Sequence, residues 1–184
     1  MITRITRITV SKVNGALSGL LVLALIVLAV VLVGGSRVLP WTTDAEKRVD
    51  TYADVQAAAT RSVLAFLDVD YRHMEQKQRA VEALSTGSFK KQYAGTAVTL
   101  KAAAEQARAV SKGDVRWVGL RSIKGATATA MVAANVVVSN ASTAKQKATT
   151  ACPHAGAACD KYRFVVTLTR TGDGWKMSDL AGVS

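Results

Sequence analysis

One apolar segment near the N-terminus constrains this chain more than any other feature. The 21 residues from Gly15 to Gly35 contain a single polar side chain, Ser18, and residues 20–33 are only Leu, Val, Ala and Ile. At about 1.5 Å per residue, such a helix is about 30 Å long, the thickness of a bilayer's hydrocarbon core. A helix buried in a small soluble domain is normally shorter and carries a polar stripe. The segment therefore predicts a transmembrane helix over residues 15–35.

The flanking charges predict the orientation of this anchor. Arg4, Arg7 and Lys12 precede it without an acidic residue, whereas both signs of charge follow Arg37. By the positive-inside rule the N-terminus stays in the cytoplasm and the rest is exported. We expect a single-pass protein of the cell membrane with a basic cytoplasmic tail (residues 1–14), a linker (residues 36–43) and an extracytoplasmic domain (residues 44–184). A cleaved signal peptide is the alternative, but its apolar region is normally about 7–15 residues long.

The composition argues against several functional classes. Two Cys and two His are too few for Cys₄ or Cys₂His₂ zinc sites. Aromatic residues make up 5% of the chain, which is low for a protein that stacks the bases of single strands. The sequence contains no phosphate-binding loop, dinucleotide fingerprint, nucleophile elbow or His-Glu-x-x-His motif. We therefore expect no cofactor, no metal and no nucleic-acid partner.

Two cysteines lie close together between strand-like runs. Cys152 and Cys159 enclose six residues, and such a pair can oxidise and persist outside the cytoplasmic membrane. The favoured prediction is a disulfide. Two free thiols are one alternative, and a metal site of Cys152, His154 and Cys159 is another, with Asp160 as the only near candidate for a fourth ligand.

Helical periodicity fills the first half of the exported domain, and strand alternation fills the second. Apolar residues recur every three or four positions from Val49 to Leu67, and two further helices are expected at about residues 72–84 and 88–110. The period then changes to two, which predicts strands at residues 115–123, 126–138, 162–168 and 175–180, with a tight turn at 171–174. Sequential strands with short connections pair antiparallel. We predict an α+β fold with three helices packed on a curved antiparallel sheet of about four strands.

The curved sheet is expected to enclose the large aromatic residues Phe89, Trp117, Phe164 and Trp175. An open apolar cavity would favour binding of a small ligand, and a filled interior would argue against it. The residues expected to line such a cavity are Tyr52, Phe66, Trp117, Phe164 and Trp175.

The order of helices and strands resembles the NTF2-like (cystatin-like) fold. Three stretches sharpen the resemblance: Asp-Tyr-Arg at residues 70–72, Thr-Gly-x-Phe-x-x-x-Tyr at residues 86–93, and the closing strand at residues 174–180. Together with the single anchor, they resemble the actinobacterial mammalian-cell-entry (Mce)-associated membrane proteins. That resemblance implies an accessory, stabilising role beside Mce lipid-import systems of the cell envelope. It implies no catalytic residue, and the Cys152–Cys159 loop is not a feature of the pattern.

One cluster of side chains could carry chemistry. Asp70 and His73 are three residues apart, so on a helix they would share a face, and an Asp that orients a His can make a general base. In the structural interpretation, Asp68 instead pairs with Arg72 while Asp70 caps the next helix. The residues that we expect at a cavity or interface are Asp68, Asp70, Tyr71, His73, Tyr52, Trp117 and Trp175.

A basic surface is expected along the third helix. It could attract anionic lipid or envelope polymer, or it could be an ordinary solvated face. Its members are Lys90, Lys91, Lys101, Arg108 and Lys112.

The leading hypothesis is a non-enzymatic, membrane-anchored accessory protein that stabilises or docks on an Mce-type lipid transport complex. Its partners would be the bilayer and the proteins of that complex. The alternatives are an extracytoplasmic module that binds a lipid or small molecule in the sheet, and an enzyme that uses Asp70 and His73.

Overall fold

The structure, a computed structural model, describes residues 23–26, 28–29 and 44–183. Residues 23–26 and 28–29 of the expected anchor are helical. The rest of residues 15–35, the basic tail 1–14 and the linker 36–43 lie outside the described residues. Among the residues that are described, no helix combines the length and the apolar character needed to cross a membrane.

Residues 44–183 contain the three predicted α-helices: α1 (Asp44–Leu67), α2 (Met74–Ala83) and α3 (Gly87–Ala107). A turn of 3₁₀ helix, Tyr71–His73, precedes α2, so the second α-helix begins two residues later than expected. α3 ends at Ala107 rather than 110, because Arg108 adopts a left-handed conformation with φ of 51° and its backbone N–H closes the last turn.

Five strands form one antiparallel sheet in the described domain, in chain order. The strands are β1 (Val69–Asp70), β2 (Val110–Lys124), β3 (Thr127–Ser139), β4 (Ala158–Thr171) and β5 (Gly174–Gly182). The four expected strands correspond to β2–β5; β2, β4 and β5 are longer than predicted, and β3 has the predicted length but is shifted by one residue. β1 was not predicted; it pairs with only the first two residues of β2. Thr171 pairs with Gly174, whose φ is 97°, and this confirms the predicted turn.

The inner face of the sheet packs against the helices in one hydrophobic core. α1 contributes Val55, Ala59 and Val63, and the small residues Ala128 and Ala130 of β3 lie in the same buried cluster. All five side chains are fully or almost fully buried. A small-residue face on β3 lets a helix approach the sheet closely, because no long side chain separates the two backbones.

Aromatic rings fill the interior at one end of this core. The ring centroid of Phe66 lies 6.3 Å from those of Phe89 and Phe164, in edge-to-face arrangements. Tyr93 stacks on Phe89 at 6.0 Å. Trp175 is also buried, with 8% exposure. The expected enclosure is therefore confirmed for Phe164 and Trp175, and Phe89 is partly buried against the core.

Trp117 does not join this core, and the reason is a β-bulge. The register of β2 against β3 shifts between Val115 and Trp117, so that Arg116 lies opposite no residue of β3. Strict alternation would put Trp117 on the same inner face as Val115, but one extra residue reverses the faces. Trp117 therefore lies on the outer face of the sheet and is 57% exposed.

The two edges of the sheet differ. The β5 edge is partly covered by the α2–α3 connection, where the Thr86 N–H donates to the Met177 carbonyl at 2.8 Å and the Met177 N–H donates to Leu84 at 2.9 Å. The β2 edge meets β1 only at Val110 and Ser111.

Candidate functional site

Asp70, Arg72 and His73 form a compact cluster at the start of the 3₁₀ turn. One Asp70 carboxylate oxygen accepts hydrogen bonds from the Arg72 backbone N–H at 3.1 Å and from Nε at 2.9 Å. The other oxygen accepts from the second guanidinium nitrogen at 2.9 Å and lies 3.2 Å from His73 Nδ1. Asp70 is therefore the N-cap residue that the structural interpretation expects, and it also contacts His73 as the alternative expects.

The electrostatics of this cluster favour an ion pair over a proton relay. The Arg72 guanidinium holds the pKa of Asp70 well below its ordinary value, so the carboxyl remains ionised. His73 has 60% of its side chain exposed, at the rim of an open polar groove of about 500 Å³. Tyr71 lies beside the pair, with the Arg72 guanidinium 5.7 Å from its ring centroid. The Asp70 side chain thus caps the 3₁₀ turn, and the Arg72 and His73 side chains contact its carboxylate.

Asp68 does not pair with Arg72, so that expectation was wrong. One of its oxygens accepts a hydrogen bond from the Gly113 backbone N–H at 2.9 Å, and the other accepts from Lys112. The reason is that α1 ends at Leu67 and the chain turns into β1, which carries Asp68 toward β2 and away from the 3₁₀ turn. Asp68 is thus a connection between the end of α1 and the sheet.

Tyr52 and Trp175 lie elsewhere in the domain. Tyr52 is on α1 and is 49% exposed, whereas Trp175 is buried beneath the Arg170 guanidinium, 5.9 Å from its ring centroid. Of the seven residues that we expected at a cavity or interface, only Asp70, Tyr71 and His73 come together. Asp68, Tyr52, Trp117 and Trp175 occupy four separate places.

The basic residues expected along α3 do not form one surface. Lys101 donates a hydrogen bond to Glu75 of α2 at 2.8 Å, and Lys112 lies on β2, where it pairs with Asp68. Lys90 and Lys91 are exposed on α3, and Arg108 follows its end.

The outer face of the sheet carries an exposed apolar surface that the sequence analysis did not identify. Trp117 pairs with Ala133, and a Cβ atom built on Gly119 would overlap ring atoms Cη2 and Cζ2 of Trp117, so the indole lies directly over this glycine. Met131 lies opposite Gly119 and is 42% exposed. We call this surface the Trp117 patch; its members are Trp117, Gly119, Met131, Ala133, Val165 and Ala181.

A glycine inside β2 was the available signal for this surface. Gly within a strand often marks a bulge or a close approach of another group. Here Gly119 has no Cβ atom, and the Trp117 ring occupies the space that a Cβ atom would take.

An apolar groove opens between the end of α1 and the far end of β3 and β4. Its volume is about 340 Å³, and its lining includes Phe66, Leu67, Val69, Val136, Val138 and Phe164. The Ser111 hydroxyl in its wall is already used, because it donates to the Leu67 carbonyl and accepts from the Val69 N–H. Tyr162 stacks on Phe164 with 5.8 Å between the ring centroids and is 41% exposed. The groove therefore presents a nearly continuous apolar wall.

The predicted disulfide between Cys152 and Cys159 is confirmed. Because both sulfurs are joined, the metal and free-thiol alternatives are wrong for this pair. Over the described part of the chain, no three His, Cys, Asp or Glu side chains are grouped to hold a metal ion. The loop closed by the disulfide lies over the outer face and walls a cleft of about 360 Å³, lined partly by Pro153, His154 and Asn135.

Solved structures with low sequence identity share this fold. An IcmL-like type IV secretion protein of Legionella pneumophila matches with a TM-score of 0.55 and 14% identity, over 72% of this chain and 93% of that one. CagV, a VirB8 homologue of the Helicobacter pylori type IV secretion system, matches with a TM-score of 0.53 and 10% identity, over 72% and 98%. The periplasmic domain of DotI matches at 0.50 with 12% identity, over 77% and 96%. The domain thus shares the α+β fold of these proteins, as expected for an NTF2-like domain.

Sequence comparison shows the family. Rv1363c of Mycobacterium tuberculosis (strain ATCC 25618 / H37Rv) is 27% identical over 135 residues, which are 73% of this chain and 48% of that protein. This chain therefore spans about half the length of that relative. Residues 17–183 match the family described as "Uncharacterized protein Rv1363c/MT1408-like". The chain belongs to the Rv1363c/MT1408-like family.

Proposed function

We propose that this chain is a non-enzymatic, membrane-anchored accessory protein whose extracytoplasmic domain docks on an Mce-type lipid transport complex of the cell envelope. The observation that carries the proposal is the Trp117 patch. It places a half-exposed indole of β2 and a Met side chain of β3 side by side on the outer face of the sheet.

The chemistry of the Trp117 patch suits protein docking. Trp is the residue type most enriched at interface hot spots, because it buries a large area with few rotatable bonds. The ring is held against Gly119, so little conformational freedom is left to lose on binding.

Three features support an exported, anchored accessory role. The apolar segment at residues 15–35 has the length of a membrane anchor. The Cys152–Cys159 disulfide suits an oxidising compartment. The Asp-Tyr-Arg and Thr-Gly-x-Phe-x-x-x-Tyr stretches resemble the Mce-associated proteins. An anchor would also raise the local concentration of the domain beside membrane partners.

The proposal is tested by extracting the tagged full-length chain from its native membrane in mild detergent and identifying co-purified proteins by mass spectrometry. We expect stoichiometric Mce transport subunits with the wild type and their loss with Trp117→Ser. Tyr52→Ser is the matched control, because it removes a similarly exposed aromatic ring from α1. Recovery of no transport subunit with the wild type would reject the proposal.

The second candidate is an extracytoplasmic module that binds a lipid or small apolar molecule, and the apolar groove favours it. A volume of about 340 Å³ lies at the lower end of the range for small-molecule sites. The Ser111 hydroxyl already makes two hydrogen bonds within the protein, and most of the other lining residues are apolar. The expected occupant is therefore a hydrocarbon chain.

Native mass spectrometry of the detergent-extracted chain with added fatty acid tests this second candidate. Ala109 lines the groove, so Ala109→Phe should fill it and abolish a bound adduct, whereas Ala103→Phe on the exposed side of α3 should not. Equal adduct formation in both variants would exclude the groove as the site.

A further inference from the structure

The positive charge of the described domain is concentrated in the sheet and its loop. Residues 110–182 contain ten Lys and Arg but four Asp and Glu, whereas residues 44–109 contain ten against nine. The helical half is thus nearly neutral, and the half that bears the Trp117 patch is strongly basic. Such an asymmetry selects partners by the sign of their surface potential.

Several of these cations border the Trp117 patch. Arg163 lies in the same cross-strand row as Trp117 and Ala133, and Lys161 lies in the next row on that face. Both are exposed, and within residues 44–183 neither takes part in a salt bridge. Of the nearby acids, Asp114 is already paired with Arg116 at 3.0 Å, and Asp160 lines the cleft under the disulfide loop together with Lys161. Asp179 of β5 is exposed and lies two cross-strand rows from Arg163.

We infer that the Trp117 patch and its basic border form a docking site for an acidic protein surface with an apolar centre. This inference rests on the proposed function and specifies the partner's chemistry. The apolar centre would cover Trp117 and Met131, while carboxylates of the partner would face Arg163 and Lys161.

A second copy of this chain fits the site poorly. Two copies related by a two-fold axis through the patch would bring the same basic borders together. At about 4.8 Å between strands and about 3.4 Å per residue, the patch covers only on the order of 200 Å². Stable homodimers normally bury about 2,000 Å² or more of largely apolar surface. Because the apolar area is small, stable binding also needs opposite charges on the partner, and a second copy would present the same positive charges.

The partner also has to approach the face rather than the edge of the sheet. Within residues 44–183, the edge of β2 beyond Ser111 has no strand partner, but bulges at Arg116 and Arg121 interrupt it. Bulges and basic side chains are the features that prevent an edge strand from pairing with another chain. Addition of a partner strand to β2 is accordingly disfavoured.

The test reverses charge beside the Trp117 patch in the full-length chain, within its native membrane. Arg163→Glu with Lys161→Glu is compared with Lys90→Glu and Lys91→Glu, which makes the same change in net charge on α3. We expect at least a tenfold loss of co-purified transport subunit for the first pair and no loss for the second. Raising the salt concentration during washing should release the wild-type partner.

A photo-crosslinking residue at Ala133 identifies what covers the patch. A covalent adduct to an acidic surface of a transport subunit is the expected result. Adducts only to phospholipid, or only to a second copy of the chain, would overturn the inference. If Trp117→Ser loses the partner but the charge reversal and salt do not, the acidic-partner inference fails while the proposed function stands. If the wild type recovers no transport subunit, the proposed function fails and the inference fails with it.

Discussion

Removing the Asp68 carboxylate should destabilise the domain, because this side chain joins the end of α1 to β2. Its carboxylate is largely enclosed, with 14% of the side chain exposed, and it accepts from the backbone N–H of Gly113. Gly113 is itself buried. Asp68→Ala therefore leaves this backbone N–H group without its carboxylate acceptor.

The expected loss in the free energy of unfolding follows from the Gly113 N–H group, which the substitution leaves without an acceptor. Leaving a buried polar group unpaired costs about 1–3 kcal/mol, whereas an exposed ion pair contributes about 0–1 kcal/mol. Lys112, the other partner, has 77% of its side chain exposed. We therefore expect Asp68→Ala to lower the free energy of unfolding by about 2 kcal/mol, and Lys112→Ala by less than about 1 kcal/mol. Asp68→Asn, which keeps an acceptor oxygen, should lie between them.

Thermal unfolding of the detergent-solubilised full-length chain measures these differences. For a domain of this size, about 2 kcal/mol corresponds to a fall in Tm of roughly 4–8 °C. Equal losses for Asp68→Ala and Lys112→Ala would refute the reasoning, because the exposed ion pair rather than the buried N–H group would then be the stabilising contact.

Three further predictions concern other parts of the domain. Asp70 has a lowered pKa when folded, so its stabilising contribution is present above about pH 4 and is lost as the pH falls further; Asp70→Asn should flatten the fall of Tm below pH 4. Gly119→Ala should displace the Trp117 ring and increase acrylamide quenching of its fluorescence, measured with the other Trp residues replaced by Phe. Closing an eight-residue loop constrains the unfolded chain by about 2–3 kcal/mol, so Cys152→Ser with Cys159→Ser should lower the free energy of unfolding by up to that amount.

Each of these predictions has a contradicting result. An unchanged acid profile in Asp70→Asn would mean that other carboxylates dominate acid unfolding. For Gly119→Ala, unchanged quenching would place the indole away from the glycine. In the disulfide variant, an undiminished Tm would show that the loop is constrained equally well by its hydrogen bonds, such as that from the Thr143 hydroxyl to the Gly156 carbonyl at 2.9 Å.

The regular elements were predictable because their periodicity extends over many residues. The alternation of small and polar residues along β3 and the turn at Thr171–Gly174 specify both pairing and direction. β1 has only two residues, so no period can reveal it. It forms because the chain leaving α1 passes the start of β2, a contact that depends on the tertiary fold.

Trp117 shows why side-chain direction was harder to predict. The apolar run from Val115 to Ile123 suggests a strand with two partly apolar faces, and nothing in it marks Arg116 or Arg121 as bulged. Each bulge reverses which residues face the core. A prediction that assumes strict alternation therefore places the indole inside, while the structure places it outside.

The candidate site could be predicted only in part from the sequence. Asp70 and His73 meet because they are close in sequence, three positions apart. Asp68 was assigned to the wrong partner, since its contact with Gly113 spans 45 positions and requires the sheet to be in place. The patch around Trp117 needs four strands in register, and no short motif encodes that arrangement.

The central claim is that the outer face of the sheet docks on a transport complex. The most direct measurement is the amount of Mce transport subunit recovered per copy of the full-length chain from native membranes, for Trp117→Ser and Tyr52→Ser side by side. We predict recovery near the wild-type level for Tyr52→Ser and at least tenfold less for Trp117→Ser, with unchanged Tm in both. Equal recovery for the two variants would contradict the account.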